Sequence, residues 1–391
     1  MKDIRLASIV SCTGCNSCSN VCPSSSIKMM YNKYGFLQPT IDNERCLKCH
    51  LCEKVCPIIT QNNKQNEMLP HVYAAIIKDE KIRQESSSGG AFWAFASYVI
   101  MKGGVVFGAG FEGILVRHSY TDKLDGLHQF MGSKYVQSEI GNTFKEVKQF
   151  LIKGKVVLYT GTPCQIAGLT YYLRKDYPNL ITLEILCRGV SSPQIWENYI
   201  KEEINQKQAK DIKDIRFRTK STKYKSPIYS YVLRFSYKDQ ANEWKEFGED
   251  CVKNPFFSFF LHHNFRPSCY QCKFRNTTSS GADITIGDAV SNPRFEAEEK
   301  KESTIVIHTE KGRKIFELIK DSLKIKSVDL TDLLSSYHSS IVVAKHDRLF
   351  KPYRIIHLLA LRYPLIKIRK LYEYTPFVLR AYYKAKSLIY G

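Results

Sequence analysis

Runs of apolar residues alternate with stretches of helical length over the middle of this chain, which predicts strands separated by helices. Val72-Tyr73-Ala74-Ala75-Ile76-Ile77 reads as a strand. Ser86-Ser87-Ser88-Gly89-Gly90 then opens a segment from Ala91 to Lys102 that is apolar on most faces and long enough for a helix, and Gly103-Gly104 ends it. Val105 to Ala109 is the next strand. The same grammar returns with a strand from Lys155 to Tyr159, the turn Thr160-Gly161-Thr162-Pro163, an amphipathic helix from Cys164 to Leu173, and a strand from Leu180 that ends on Cys187. From Asp211 to Asp250 the pattern alternates more closely, as in Ser230 to Tyr237, and predicts antiparallel hairpins. Ala282 to Asp288 is a further strand ending in a turn, and Ser303 to Leu323 returns to strand and helix. In an α/β sheet of this kind ligands gather where the strands end.

Ahead of the sheet, Met30-Tyr31-Asn32-Lys33-Tyr34-Gly35-Phe36 reads as a short hairpin turning between Asn32 and Gly35. Gln61 to Glu67 is polar and without period, a linker, so a second unit starts near His71. The chain of 391 residues is long enough for two or three units, and its 43% hydrophobic content fits a globular protein. No run of eighteen apolar residues predicts a transmembrane helix, and Met1 to Arg5 lacks a signal-peptide core. The expected location is the cytoplasm. A net charge of +20 is concentrated in part at the far end, where eleven basic residues from Lys345 onward face only Asp347 and Glu373. Such a surface suits acidic ferredoxins or flavodoxins, an anionic substrate or an anionic lipid surface, or it is simply a solvated face. No nucleic-acid-binding motif accompanies it, so no nucleic-acid partner is expected.

The cysteines change the picture most. Cys12-x-x-Cys15-x-x-Cys18-x-x-x-Cys22-Pro23 is repeated as Cys46-x-x-Cys49-x-x-Cys52-x-x-x-Cys56-Pro57. This doubled spacing is that of a bacterial-type ferredoxin with two [4Fe–4S] cubanes, in which the fourth cysteine of each run crosses to the other cluster. Cys12, Cys15, Cys18 and Cys56 are thus expected on one cube, and Cys46, Cys49, Cys52 and Cys22 on the other. Disulfides or paired zinc knots explain the run less well, because zinc sites come as separated CxxC pairs. Thiolate ligands also suit a reducing compartment. Of the remaining five cysteines, Cys251 reads as a small buried hydrophobe. Cys164, Cys187, Cys269 and Cys272 have the character of ligands to one centre, zinc or a third cubane, with a redox-active CxxC as the alternative.

Several longer motifs, in order, are Gly132-Ser133-Lys134-Tyr135-Val136-Gln137-Ser138, Thr160 to Leu169, Cys187-Arg188-Gly189-Val190-Ser191-Ser192-Pro193, Arg266-Pro267-Ser268-Cys269-Tyr270-Gln271-Cys272 and Ala282 to Asp288. Together they resemble the coenzyme F420 hydrogenase/dehydrogenase beta subunit family from about Val72 to Asp288, and the ferredoxin head matches its longer members. The resemblance implies FAD and one [4Fe–4S] cluster in this domain, held by Cys164, Cys187, Cys269 and Cys272, making three clusters in the chain. It also implies flavin contacts from Ser87, Ser88, Gly89, Gly90, Ser133, Lys134, Tyr135, Ser138, Thr160, Gly161, Thr162 and Gln165. Two positions depart from the family's pattern: Arg188 stands where members usually carry His, and Ala289-Val290 follow Gly287-Asp288 where Phe-Trp-Gly is common. Both bear on whether F420 is the acceptor.

The fold class expected is α+β/α/β multidomain. Residues 1–60 would be the ferredoxin head, 71–335 a mixed α/β flavin- and cluster-binding domain, and 336–391 a basic helical C-terminal tail. Ile355 to Leu361, with Leu365, Ile366 and Ile368, suits either a packed helix or one lying on the inner face of a membrane or on a partner. The expected function is an iron–sulfur flavoprotein oxidoreductase acting on an organic two-electron acceptor or donor. The alternative is a non-catalytic relay subunit working with a separate redox partner. No acid or base stands out, so the catalytic residues stay unassigned, and His118, His128, Arg188 and Asp288 are candidates for substrate contacts only.

Overall fold

The computed structural model describes residues 3–60, 70–221, 223–224, 231–261, 264–274, 280–289, 302–329 and 347–374. The expected linker Gln61 to Glu67, Ser230, Val290, and positions 336–346 and 375–391 of the tail lie outside the described residues.

In the head, α1 (Ser17–Val21) and the hairpin strands β1 (Ile27–Tyr31) and β2 (Leu37–Ile41) precede α2 (Leu51–Lys54). The hairpin pairs Ile27 with Ile41 through to Tyr31 with Leu37. Asn32 closes its turn as expected, its side-chain oxygen accepting from the amides of Tyr34 at 2.9 Å and Phe36 at 3.2 Å. The two cysteine runs are conformational copies: Gly14 (φ 71°) and Asn16 (φ 68°) in the first correspond to Lys48 (φ 50°) and His50 (φ 56°) in the second. These left-handed residues turn the backbone so that successive thiols face one point before the short helix begins. Lys48 and His50 carry side chains in a region that costs an L-residue about 1 kcal/mol or more.

The second unit is built on one large sheet. In chain order come β3 (His71–Ile77), α3 (Glu80–Glu85), α4 (Ala91–Met101), β4 (Val105–Glu112), β5 (Leu115–Thr121), α5 (Thr143–Ile152), β6 (Val157–Gly161), α6 (Pro163–Leu173), β7 (Leu180–Ile185) and α7 (Pro193–Gln206). After them β8 (Asp211–Arg218), β9 (Tyr231–Lys238) and β10 (Trp244–Asp250) form a separate antiparallel sheet, the predicted hairpins. The chain then returns through α8 (Pro255–Leu261) to β11 (Ile284–Asp288), β12 (Ser303–Ile307), α9 (Glu310–Ile319), β13 (Leu323–Val328) and α10 (Asp347–Ala360). The large sheet has the order β13-β3-β12-β11-β7-β6-β4-β5, with β4, β6, β7 and β11 mutually parallel. Its central strands are apolar on both sides, as buried parallel strands must be.

Helices α4 and α9 cover one face, where Phe95 and Phe316 join Leu158, Leu183 and Ile305. Helices α5 and α6 cover the other, where Phe144 and Ile166 meet Phe107 and Tyr159. A third cluster gathers Trp196, Phe217, Phe235, Phe256 and Phe257 with Phe36 from the head and Ile356 and Tyr372 from the C-terminal segment. The described part of the tail is therefore packed onto both units.

Several boundaries differ from the sequence pattern. β7 stops at Ile185 and leaves Cys187 in the following loop, because the sheet register ends with Ile286 opposite Ile185. β4 runs on to Glu112, and β6 continues through Thr160 and Gly161. Strands β5 and β13 were not legible as strands; both lie at sheet edges and carry charged residues.

Candidate redox site

The head contains two small cavities. One is walled by Cys12, Cys15, Cys18, Cys52 and Cys56, the other by Cys22, Cys46, Cys49 and Cys52. Each thus includes a cysteine from the end of the opposite run, Cys56 in the first and Cys22 in the second, and Cys52 borders both. Burial raises the Cys18 thiol well above its ordinary range, and the neighbouring Cys15, Cys12, Cys56 and Cys52 add to the shift. Burial likewise raises Cys56 to about 11, with Cys15 and Cys12 contributing. Buried thiols that oppose one another's ionisation suit a cationic iron core, which deprotonates coordinating thiols outright.

A second set lies in the larger unit. Cys164 is in the first turn of α6, where the Thr162 cap and Gln165 form a reciprocal capping box and the Thr162 hydroxyl sits 3.2 Å from the Cys164 sulfur. Cys187 follows β7, while Cys269 lies within a 3₁₀ turn over Pro267–Gln271 and Cys272 caps its end. The four are electrostatic neighbours: burial, then Cys269, Cys164 and Cys272, raises Cys187. Among the described residues no three His, Cys, Asp or Glu side chains converge closely enough for a single metal ion. Four thiols from three separate segments are the donor set that a [4Fe–4S] cluster takes.

The two sets meet across α6. Gly168 lies one turn beyond Cys164 on the same helix face, and a Cβ there would stand 2.7 Å from Cys15 Cβ and 3.1 Å from its sulfur. The Ser17 hydroxyl donates to the Gly168 carbonyl at 2.6 Å, and Asn16 and Asn20 both donate to the Gly141 carbonyl. A side-chain-free notch therefore lets the head approach the helix backbone, and Cys15 becomes an electrostatic neighbour of Cys164.

At the carboxyl ends of the parallel strands opens a cavity of about 310 Å³. Its wall includes Ser87, Ser88, Gly90, Ser133, Lys134, Tyr135, Ser138, Thr160, Gly161, Thr162 and Gln165, together with Cys187, the cysteine that joins it to the second thiol set. Gly89 is the one expected contact that does not reach the cavity. It is wedged between the Ala75 carbonyl and Ser303, donating to the Ser303 hydroxyl at 2.9 Å and accepting from Ile77 at 2.7 Å. His118, Arg188 and Asp288 also line the cavity, whereas His128 does not. His128 instead lies near Trp93, with Nδ1 3.0 Å from the Glu85 carboxylate, and so does not face the cavity as a substrate contact would.

The wall is polar at chosen points. Ser87 accepts from the Ser133 amide at 2.8 Å and hydroxyl at 3.1 Å, and Gln165 donates to Ser138 at 3.0 Å. Lys134 donates to the carbonyls of Gln129 and Met131, both at 3.0 Å, while burial and then Arg216 lower its ammonium to about 7. Burial holds His118 near 4, hence neutral; with Nε2 3.0 Å from the Thr160 carbonyl, Nδ1 is buried without a partner among the described residues. Asp288 accepts from Arg218 at 2.5 Å. Apolar walls from Phe92, Phe130, Ile185 and Ile286 complete a pocket suited to a planar ring with a polar, anionic extension.

Sequence reasoning missed Gly168, Gln137 and Arg266 as contacts between the units. Only a glycine inside an apolar helix hinted at close approach.

Fold and thiol sets together define an iron–sulfur redox protein. Residues 11–58 match the family model for the 4Fe-4S dicluster domain, and residues 154–332 match that for the C terminus of the coenzyme F420 hydrogenase/dehydrogenase beta subunit. Residues 154–332 thus carry the C-terminal domain of that beta subunit family, with a dicluster domain in front of it. Cys164, Cys187, Cys269 and Cys272 fall inside the second match, and the 132–138 motif falls before it. An uncharacterized polyferredoxin-like protein of Methanocaldococcus jannaschii is 31% identical over 67 residues, 15% of this chain and 40% of that protein, so the match spans less than half of that relative. The F420-reducing [NiFe] hydrogenase complex from Methanosarcina barkeri, solved as a xenon derivative, aligns over 70% of this chain and 89% of its own chain at 18% identity and a TM-score of 0.46.

Proposed function

We propose that this protein is an iron–sulfur flavoprotein oxidoreductase with three [4Fe–4S] clusters and one FAD, acting on an organic two-electron acceptor or donor such as a deazaflavin. When bound, the clusters supply one-electron transfer and the flavin couples it to two-electron chemistry. One observation carries the reading: Cys15 neighbours Cys164, Cys164 neighbours Cys187, and Cys187 lines the large cavity. A relay that ends at a ring-sized pocket has a use for every step.

The residues divide the work. Gly168 sets the approach of the head, and Cys187 stands at the junction of the second thiol set and the pocket. Lys134, held by two carbonyls, would meet an anionic group of the cofactor or substrate. His118 offers a fixed acceptor at Nδ1, and Arg188 brings a permanent cation to the pocket wall, where an anionic substrate would be held. The domain limits 1–60, 71–335 and 336–391 belong to the same proposal.

Partners follow from charge. An acidic electron carrier or partner subunit would deliver electrons to the head. The C-terminal segment turns Ile355, Tyr363, Ile366, Leu371 and Tyr374 outward beside Arg362, Lys367 and Lys370, which supports contact with an anionic membrane surface. Among the described residues no helix is long and apolar enough to cross a membrane.

Anaerobic purification with iron, sulfide and flavin counts tests the proposal. About twelve irons and one FAD per chain are expected from three four-iron clusters, and Cys187→Ser should leave about eight irons with the head intact. Eight irons without FAD in the unaltered protein would refute the assignment of the second unit.

A further inference from the structure

Arg266 is 1% exposed, and among the described residues its guanidinium has only neutral partners. Nε donates to the Cys12 carbonyl at 2.7 Å, Nη1 to Gln137 Oε1 at 2.7 Å, and Nη2 to the Leu37 carbonyl at 3.0 Å and Gln38 Oε1 at 3.5 Å. Gln137 is held in that orientation by donating to the Thr13 carbonyl at 2.8 Å. Among the described residues no carboxylate pairs with Arg266. Its backbone is fixed on the other side, donating to Val190 at 3.0 Å and accepting from Cys269 at 2.9 Å. The Phe36 ring lies 5.2 Å from the guanidinium carbon.

A buried charge with no counter-charge is strongly disfavoured. Arg can hardly relieve the cost by losing its proton. The anions within reach are thiolates: Cys12, whose carbonyl Arg266 holds, belongs to the first head set, and Cys164, on which Arg266 acts electrostatically, belongs to the second-unit set. An electron taken up by a cluster bound at either set would increase the negative charge facing the guanidinium by one.

We propose that Arg266 is the shared counter-cation of the Cys12, Cys15, Cys18, Cys56 set and the Cys164, Cys187, Cys269, Cys272 set, raising the reduction potential of both while tying the head to the second unit. This rests on the cluster assignment above. Arg266 acts through charge and position and does not itself carry electrons.

The test is a dithionite titration of the full-length, anaerobically purified protein followed by electron paramagnetic resonance. Arg266→Gln should lower the reduced-to-oxidised ratio at fixed potential at least tenfold, equivalent to about 59 mV for a one-electron couple. Arg266→Lys, which keeps the charge, should fall less. Gln137→Glu would set a carboxylate against the guanidinium and cancel its charge without removing it, so it should also lower the potential, whereas Gln137→Met should not. These two variants decide the matter if Arg266→Gln fails to hold iron. An unchanged midpoint in Gln137→Glu, or equal drops in Arg266→Lys and Arg266→Gln, would overturn the proposal. Absence of a third cluster signal in the unaltered protein would instead overturn the cluster assignment.

Discussion

Replacing Gly168 with alanine sets two effects against each other. In an ordinary helix interior this change stabilises by about 1 kcal/mol, because glycine has more backbone freedom to lose. At Gly168 the new methyl would lie 2.7 Å from Cys15 Cβ, 2.9 Å from the Ser17 hydroxyl and 3.1 Å from the Cys15 sulfur. Comfortable carbon contacts begin at about 3.5 Å, so the overlap approaches 1 Å. None of these atoms is the free end of a flexible side chain: Ser17 is held by the Gly168 carbonyl and Cys15 by the turn at Gly14 and Asn16. Overpacking of this kind costs about 1–3 kcal/mol, and moving the head away also forfeits the Ser17 hydrogen bond, worth about 1 kcal/mol. The steric loss therefore outweighs the helical gain. A net loss of about 1–3 kcal/mol would weaken docking of the head roughly five- to 150-fold. With the proposed cluster bound at the second thiol set, stopped-flow reduction of the holoprotein should show its reduction slowed relative to that of the head, with iron content unchanged. A Gly168→Ala protein that melts higher than the parent and relays electrons equally fast would refute the close-approach reasoning.

Other outcomes follow from single groups. Lys134 titrates near 7 because burial opposes its charge, so the unfolded chain binds more protons between that pH and the ordinary lysine range, and this residue makes the unliganded protein more stable as pH rises through the window. An anion in the pocket needs the charged form, so affinity for an anionic flavin or substrate should weaken above pH 7, by up to about tenfold per unit, and Lys134→Met should flatten the profile in equilibrium titrations. Glu184 is buried on β7 with hydroxyls of Ser280 and Thr285 donating to it, and burial raises it to about 7. Its folded pKa is the raised one, so stability present below the ordinary glutamate range is lost as pH climbs towards 7, in total about 3 kcal/mol at about 1.36 kcal/mol per unit. Glu184→Gln should remove that slope in denaturant melts taken from pH 5 to pH 8. Lys48→Gly, which copies Gly14 in the first run, should stabilise the head by about 1 kcal/mol by relieving its left-handed backbone, measured as a higher unfolding midpoint.

The parts of this molecule that the sequence made legible are those whose chemistry is local. Cluster ligands must recur at short fixed spacings, so the dicluster head stood out in the sequence, and Cys56 and Cys22 each line the cavity of the opposite run. Strands β6 and β7 announced themselves because buried strands are apolar on both faces, and helix α6 through its capping turn and apolar periodicity. Edge strands β5 and β13 did not, since charged residues that protect an edge also erase the strand pattern. At the pocket, Lys134 and Gln165 came from motif resemblance, while Gly89 and His128 were misplaced because adjacency in sequence says little about which way a residue faces. Arg266 and Gln137 were hidden for another reason: their partners lie more than a hundred positions away, and nothing local marks an arginine destined for burial.

The notch at Gly168 has a bearing on modularity. Ferredoxin heads look interchangeable, and joining a homologous head to another catalytic body at the linker is an obvious graft. Such a chimera would inherit the cysteines and still fit badly, because the seat is cut jointly by α6, Gln137 and Arg266. Transplantation should succeed only when donor and recipient are exchanged together with those matching surfaces, which makes head and body a single inherited unit.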